Sequence, residues 1–256
     1  MKAVRRVSLL HGLLGHPDAL LAFTGAVSDA LGVPTRAVLL PGHGESPWGT
    51  EHRSFDEVVD ALWARAFPDG GERELVVGYS LGGRLALGML ARANPAAVLA
   101  IGAHLGLRDP EERRARRRWD LDQAARVREF GVEAFAAEWE REPLFATQQA
   151  LPPEQRLEQR RVRCRHRPEA IAWAFDVLGT GSMPDLLPRV SAQRDRVTLV
   201  AGALDSKFVA HYHACPELSV IVVPNAGHNV LLERPDVLLA ALRAVARGVP
   251  FPGVSS

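Results

Sequence analysis

Six short apolar runs punctuate the chain: Val7–Leu10, Ala37–Leu40, Leu75–Val77, Val98–Ile101, Val197–Ala201 and Val220–Val223. Each leads into glycine or proline, and none alternates with polar residues. That is the pattern of strands buried on both faces, as in a parallel sheet. Between the runs, Leu20–Leu31, Phe55–Ala66, Leu81–Ala93 and Val230–Val245 carry apolar residues at helical spacing. Strand alternating with helix predicts an α/β fold, a mostly parallel sheet flanked by helices.

The alternation stops between residues 104 and 194. Helical patterns replace it at Pro110–Phe130, Val132–Trp139, Pro153–Arg161, Pro168–Leu178 and Pro184–Gln193. The prolines near their starts suit first-turn positions, where no backbone N–H is needed. The organisation expected is a core of residues 1–103 and 195–256, interrupted by a helical cap insert at 104–194. An insert leaving the C-terminal edge of such a sheet lies over the crevice where open α/β sheets bind ligands. The tail VPFPGVSS is expected to fray.

Composition adds mainly exclusions. With 256 residues, 47% of them hydrophobic and 24% charged, the chain can build one large core. A net charge of +1 gives no general attraction to nucleic acid or membrane surfaces. The cations are almost all arginine, Lys2 and Lys207 being the only lysines, a bias most simply genomic. Cys164 and Cys215 form no disulfide framework or metal pattern. The first residues, with Arg5 and Arg6 inside a short apolar run, make a poor leader peptide, and no run nears the length of a membrane span. A cytoplasmic protein is expected; nothing in the sequence sets its oligomeric state.

The chemistry centres on Gly78-Tyr79-Ser80-Leu81-Gly82, placed after a strand and before a helix. Glycines flank a nucleophilic serine on such a turn because side chains there would strike neighbouring backbone. A serine of this kind needs a base and an acid, following it in the order acid, then histidine. Asp205 comes just past the Val197–Ala201 run, and His228 just past Val220–Val223. Asp205 alone also reads as a turn former and His228 alone as a polar cap; together, in order and at strand ends, they read as a triad with Ser80. The loop HGLLG after the first strand is expected to supply the Leu13 N–H, beside that of Leu81, to developing negative charge. His11 is read as holding that loop, and His43 as a weaker candidate for any chemical role.

These features resemble the α/β-hydrolase superfamily. The segments GYSLGGR, GLRDPEERRARRRWD, WEREPLFA, GTGSMPDL, DSKF and PNAGHN resemble, in order and spacing, the 2-succinyl-6-hydroxy-2,4-cyclohexadiene-1-carboxylate synthase family of menaquinone biosynthesis. The likeness runs from His11 to about Arg234. It implies an α/β-hydrolase fold and a lyase that eliminates pyruvate, with the triad removing a proton from carbon. It also implies substrate-binding roles for Tyr79, Arg84, Arg116, Trp139 and Arg163, a matched Lys207 of unassigned role, a small anionic substrate and no cofactor or metal. Arginine suits such a substrate because its planar fork grips carboxylates.

Two positions depart from the family pattern: Met183 replaces a glutamine, and Glu140 stands where relatives often have tyrosine. The insert arginines also have an ordinary reading, as helix-face ion pairs such as Arg116 with Asp120. Two other functions compete: a hydrolase acting on a carboxylester or carbon–carbon bond, and a catalytically inactive binding scaffold. A general esterase pocket is mostly apolar and has no use for buried cations.

Overall fold

The computed structural model describes residues 3–46, 50–249, 251 and 254–255. In chain order the first half contains β1 (Arg6–Leu10), α1 (Leu21–Leu31), β2 (Thr35–Val38), α2 (Phe55–Ala66), β3 (Glu74–Tyr79), α3 (Leu81–Arg92) and β4 (Ala97–Ile101). Four helices follow without a strand: α4 (Pro110–Trp139), α5 (Pro153–Arg163), α6 (Pro168–Leu178) and α7 (Leu187–Ser191). The chain then returns to β5 (Val197–Gly202), α8 (Ser206–His213), β6 (Ser219–Val223), α9 (Val230–Glu233), α10 (Pro235–Arg247) and β7 (Val254–Ser255).

The strands form one sheet in the order β2-β1-β3-β4-β5-β6-β7. The first six are parallel, and β7 joins antiparallel to β6. Their continuous apolar runs are explained by burial: every residue of β4 is buried, as is all of β3 except Tyr79. Parallel pairing puts all their C-terminal ends on one edge, so the loops after β1, β3, β4, β5 and β6 converge there. Among the described residues no helix is long and apolar enough to cross a membrane.

Residues 110–139 run as one helix broken at Gly131, whose φ of 77° and ψ of 166° are not helical. Ala124, Val127 and Phe135 of α4 pack with Ile171 and Phe175 of α6, and this cluster takes in Leu14 from the loop after β1. The helical segment is thereby tied to the sheet edge it covers.

Four sequence expectations need correction. The second strand ends at Val38, because the Leu40 N–H is taken by His11 Nε2 at 3.1 Å and Pro41 follows. The expected helix 184–193 is reduced to Leu187–Ser191, with Asp185 Oδ1 accepting the Leu187 N–H at 3.1 Å. The apolar run 230–245 splits in two, because Pro235 cannot continue α9 and instead opens α10. Of the tail, Val254 and Ser255 pair with Ile221 and Val220, and residues 250, 252, 253 and 256 lie outside the described residues.

Candidate active site

Ser80 lies between β3 and α3 with φ 51° and ψ −109°, a conformation costly for any residue bearing a side chain. The turn holds because its own backbone is tied on both sides: Ser80 N donates to Ile101 O at 2.8 Å, and Arg84 N to Ser80 O at 3.0 Å. Glycine is required at both flanks. A Cβ on Gly78 would overlap the Gly82 carbonyl, and one on Gly82 would overlap the Leu10 and His11 carbonyls.

Asp205 ends the loop after β5 and caps α8, its Oδ1 accepting the Phe208 N–H at 3.4 Å. Its other oxygen, Oδ2, lies 2.7 Å from His228 Nδ1. A carboxylate there fixes the proton on Nδ1 and leaves Nε2 as the basic nitrogen. Both side chains are buried, His228 among the rings of Phe208, Tyr79 and Phe145. Close access to the imidazole comes from Gly102, at φ 54°, where a Cβ would sit 2.7 Å from His228 Cε1. His228 Nε2 has no hydrogen-bond partner among the described residues. Ser80 and His228 line the same cavity, of about 90 Å³.

The loop after β1 is built on buried histidines. His11 Nδ1 donates to Gly12 O at 2.8 Å, and His43 Nε2 accepts the Leu14 N–H at 3.2 Å. The two rings meet edge to face at 5.0 Å. Burial pulls His11 down to about 3 and His43 well below its ordinary value, so both serve as neutral struts. Leu13, between these ties, lines the Ser80 cavity. Leu81 is the first residue of α3, where a helix leaves its N–H without an intrahelical acceptor.

Cations gather on the other side. Arg84, Arg116 and Lys207 line that cavity with Ser80 and His228. Arg84 is anchored to the Leu178 carbonyl of α6, and desolvation, with Arg116 nearby, lowers its guanidinium to about 10. Arg116 donates through Nε to Asp120 at 2.9 Å and lies 4.4 Å above the Trp119 ring. Burial and Arg116 also lower Lys207. Tyr79 is half-buried beside His228, and desolvation of its hydroxyl raises its phenol.

The candidate residues are not all in one place. Ser80, His228, Leu13, Arg84, Arg116 and Trp139 share the small cavity. Arg163 and Tyr79 instead line a second cavity that also opens on Ser80 and Trp139. Of the two departures from the family pattern, Met183 lies in the apolar core with Leu178 and Leu186. Glu140 is bound by Arg160 and Arg163.

Sequence reasoning passed over His104 and gave Asp120 only a surface pairing. His104 lines the Ser80 cavity, stacks on His211 at 4.2 Å, and is pulled down to about 3 by burial and by His211. Its Nδ1 accepts the Gly106 N–H at 3.0 Å, which leaves the proton on Nε2. Its position just after the β4 run was the signal that could have found it. No group of three or more potential metal ligands occurs among the described residues.

Residues 9–241 match the model of the alpha/beta hydrolase family. The chain is 30% identical over 237 residues to the 2-succinyl-6-hydroxy-2,4-cyclohexadiene-1-carboxylate synthase of Serratia proteamaculans, covering 91% of this chain and 90% of the relative. The Shigella sonnei enzyme of that name is 33% identical, with 82% of each chain covered. The structure of MenH from S. aureus superposes with a TM-score of 0.88 at 25% identity, covering 96% of this chain and 95% of that one. A thermophilic esterase from Thermogutta terrifontis, 23% identical with a TM-score of 0.74 over 96% of this chain and 90% of its own, shares the fold. The chain belongs to the alpha/beta hydrolase family and, within it, to the 2-succinyl-6-hydroxy-2,4-cyclohexadiene-1-carboxylate synthases.

Proposed function

We propose that the chain is a carbon–oxygen lyase of menaquinone biosynthesis. It eliminates pyruvate from 2-succinyl-5-enolpyruvyl-6-hydroxy-3-cyclohexene-1-carboxylate to give 2-succinyl-6-hydroxy-2,4-cyclohexadiene-1-carboxylate. One observation carries the reading beyond family membership: Arg84, Arg116 and Lys207 line the same cavity as Ser80 and His228. The substrate has a ring carboxylate, a succinyl carboxylate and an enolpyruvyl carboxylate. A cavity that places fixed cations around the serine suits that polyanion and is costly for a neutral ester.

In this reading Asp205 orients His228, and His228 Nε2 takes the Ser80 hydroxyl proton as the serine oxygen removes a proton from a ring carbon. The proton comes off C2; its electron pair forms the C2–C3 double bond, the existing C3–C4 pair moves to C4–C5, and the bond from C5 to the enolpyruvyl oxygen breaks. The departing enolate takes a proton on carbon and leaves as pyruvate. Arg84, Arg116 and Lys207 hold carboxylates, and the Leu13 and Leu81 N–H groups face the charge that develops. His228 Nε2 has no partner among the described residues, and its hydrogen bond with the Ser80 hydroxyl forms when substrate fills the cavity. Residues 104–194 act as the cap that closes over it.

The test mixes purified protein with the enolpyruvyl substrate and follows pyruvate and the diene chromophore together. Both should appear fast and both should vanish in Ser80→Ala. Turnover of neutral short-chain esters at enzyme-like rates, without pyruvate release, would move the chain to the hydrolases that share its fold.

A further inference from the structure

Arg163 stands in the wall between two spaces. It lines the inner cavity with Ser80, Tyr79 and Trp139, and an outer groove with Glu140, Gln148 and Arg160. On the outer side its guanidinium is engaged. Nη1 lies 3.0 Å from Glu140 Oε1 and Nη2 donates to Gln148 Oε1 at 2.9 Å, while on the inner side the Phe145 ring is 5.5 Å from Cζ. Glu140 is gripped from its far side as well. Arg160 Nε donates to both of its oxygens, at 2.9 and 2.8 Å, and Arg160 Nη2 adds a further bond to Oε2. Little solvent reaches the pair: the side chains of Arg163 and Glu140 are 11% and 17% exposed. Burial opposes ionisation of Glu140, yet the bonds from Arg160 and Arg163 outweigh it and hold the carboxyl below its ordinary range.

We propose that Glu140 is a built-in competitor for Arg163, occupying its guanidinium in the free enzyme, so that a substrate carboxylate reaches Arg163 only by displacing Glu140 toward Arg160. The proposal rests on the lyase reading above and on the substrate-binding role that the family resemblance implies for Arg163. The geometry is that of an exchange. Arg160 already binds both Glu140 oxygens, so the displaced carboxylate keeps an ionic partner. Gln148 Oε1 stays on Nη2, so Arg163 keeps its place and presents Nη1 to the newcomer. Gln148 itself is 6% exposed, and its Nε2 is buried without a hydrogen-bond partner among the described residues. That amide is a second donor for the incoming carboxylate.

The consequence is selectivity against small anions. A lone carboxylate that goes to Arg163 gains that one cation and must still displace Glu140. A polyanion anchored elsewhere by Arg84, Arg116 and Lys207 delivers its last carboxylate to Arg163 intramolecularly, at high effective concentration. Glu140 is therefore a specificity-determining residue that acts through Arg163 and does not touch the reacting atoms.

The experiment compares Glu140→Gln with wild type. KM for the enolpyruvyl substrate should fall about tenfold, while kcat moves less than KM. A glutamate that only braces the cap would give a lower melting temperature with KM unchanged or raised, and that result overturns the proposal. Should Glu140→Gln fail to fold, Glu140→Asp serves: its shorter carboxylate stays with Arg160, so KM should still fall, and an unchanged KM sinks the idea. A binding arm is independent of turnover. The Kd of 4-oxo-4-phenylbutanoate, an aryl ketone with a succinyl arm, is measured by calorimetry on Ser80→Ala and on Ser80→Ala/Glu140→Gln. Tighter binding to the double variant is expected, and equal binding overturns the proposal. Absence of pyruvate release in wild type would sink the lyase reading, while this binding comparison would still decide the role of Glu140.

Discussion

Arg116 is held in place by Asp120: Nε meets Oδ1 at 2.9 Å, while the second carboxylate oxygen accepts the Gly181 N–H, also at 2.9 Å. The Asp120 side chain is wholly buried, whereas that of Arg116 is 31% exposed on the cavity side. One acid thus fixes an arginine and ties α4 to the loop after α6. Asp120→Ala strands a buried N–H and releases the guanidinium, at a cost of about 2–4 kcal/mol. Urea unfolding should register that loss, and KM for the anionic substrate should rise several-fold. Destabilisation with KM unchanged would show that Arg116 does not hold substrate.

The backbone of Ser80 is strained for the sake of its hydroxyl. At φ 51° and ψ −109° a glycine is at ease and any Cβ is not. Ser80→Gly and Ser80→Ala should both lose pyruvate release by 10³-fold or more, on the order of what removing an activated serine costs. Ser80→Gly should nevertheless be more stable than Ser80→Ala, by about 1 kcal/mol. Equal melting temperatures for the two variants would mean that the elbow relaxes and stores no strain.

Buried neutral histidines should make the protein acid-sensitive. His11 is pulled down to about 3, His166 to about 4 and His43 well below its ordinary value, each chiefly by burial. In the unfolded chain each titrates near 6.5. Between roughly pH 6.5 and 4 the unfolded state binds protons that the folded state refuses, so stability is full above about 6.5 and falls as the pH drops. Each fully buried histidine contributes up to about 1.4 kcal/mol per pH unit in that window. Urea unfolding at pH 7, 6 and 5 should show the decline, and His43→Gln should flatten its slope by one proton's share. A flat profile from pH 7 to 5 would refute the assignment.

What could be read from sequence was what local chemistry fixes. Continuous apolar runs gave the sheet, and the spacing of Gly78, Ser80 and Gly82 gave the elbow. That Asp205 and His228 lie at the same sheet edge was legible, because the fold forces loops after parallel strands there. The fate of the arginines was not legible. Arg116 and Asp120 are spaced like any surface pair, and only the packing of α4 against α6 and the loop at Gly181 buries the acid. Glu140 reads as an intruder near a carboxylate site, because its partners Arg160 and Arg163 lie on another helix. His104 was missed because a lone histidine after a strand has no pattern; its meaning comes from His211 and Arg84, which the fold brings from elsewhere.

The helix that carries Trp139 breaks at a single glycine eight residues earlier. Trp139 and Leu144 line all three cavities around Ser80 and His228, so together they partition the space a substrate must occupy. The last turns of α4 deliver Trp139 because the helix breaks at Gly131, where φ is 77° and ψ 166°. A Cβ there would meet nothing within 4 Å, so the demand is purely conformational. Gly131→Ala should cost about 1–3 kcal/mol if the break persists, or straighten α4 and carry Trp139 away. In either case KM for the anionic substrate should rise at least several-fold, with Ser80, Asp205 and His228 untouched. Wild-type KM and melting temperature in Gly131→Ala would show that the break at Gly131 does not set where Trp139 stands.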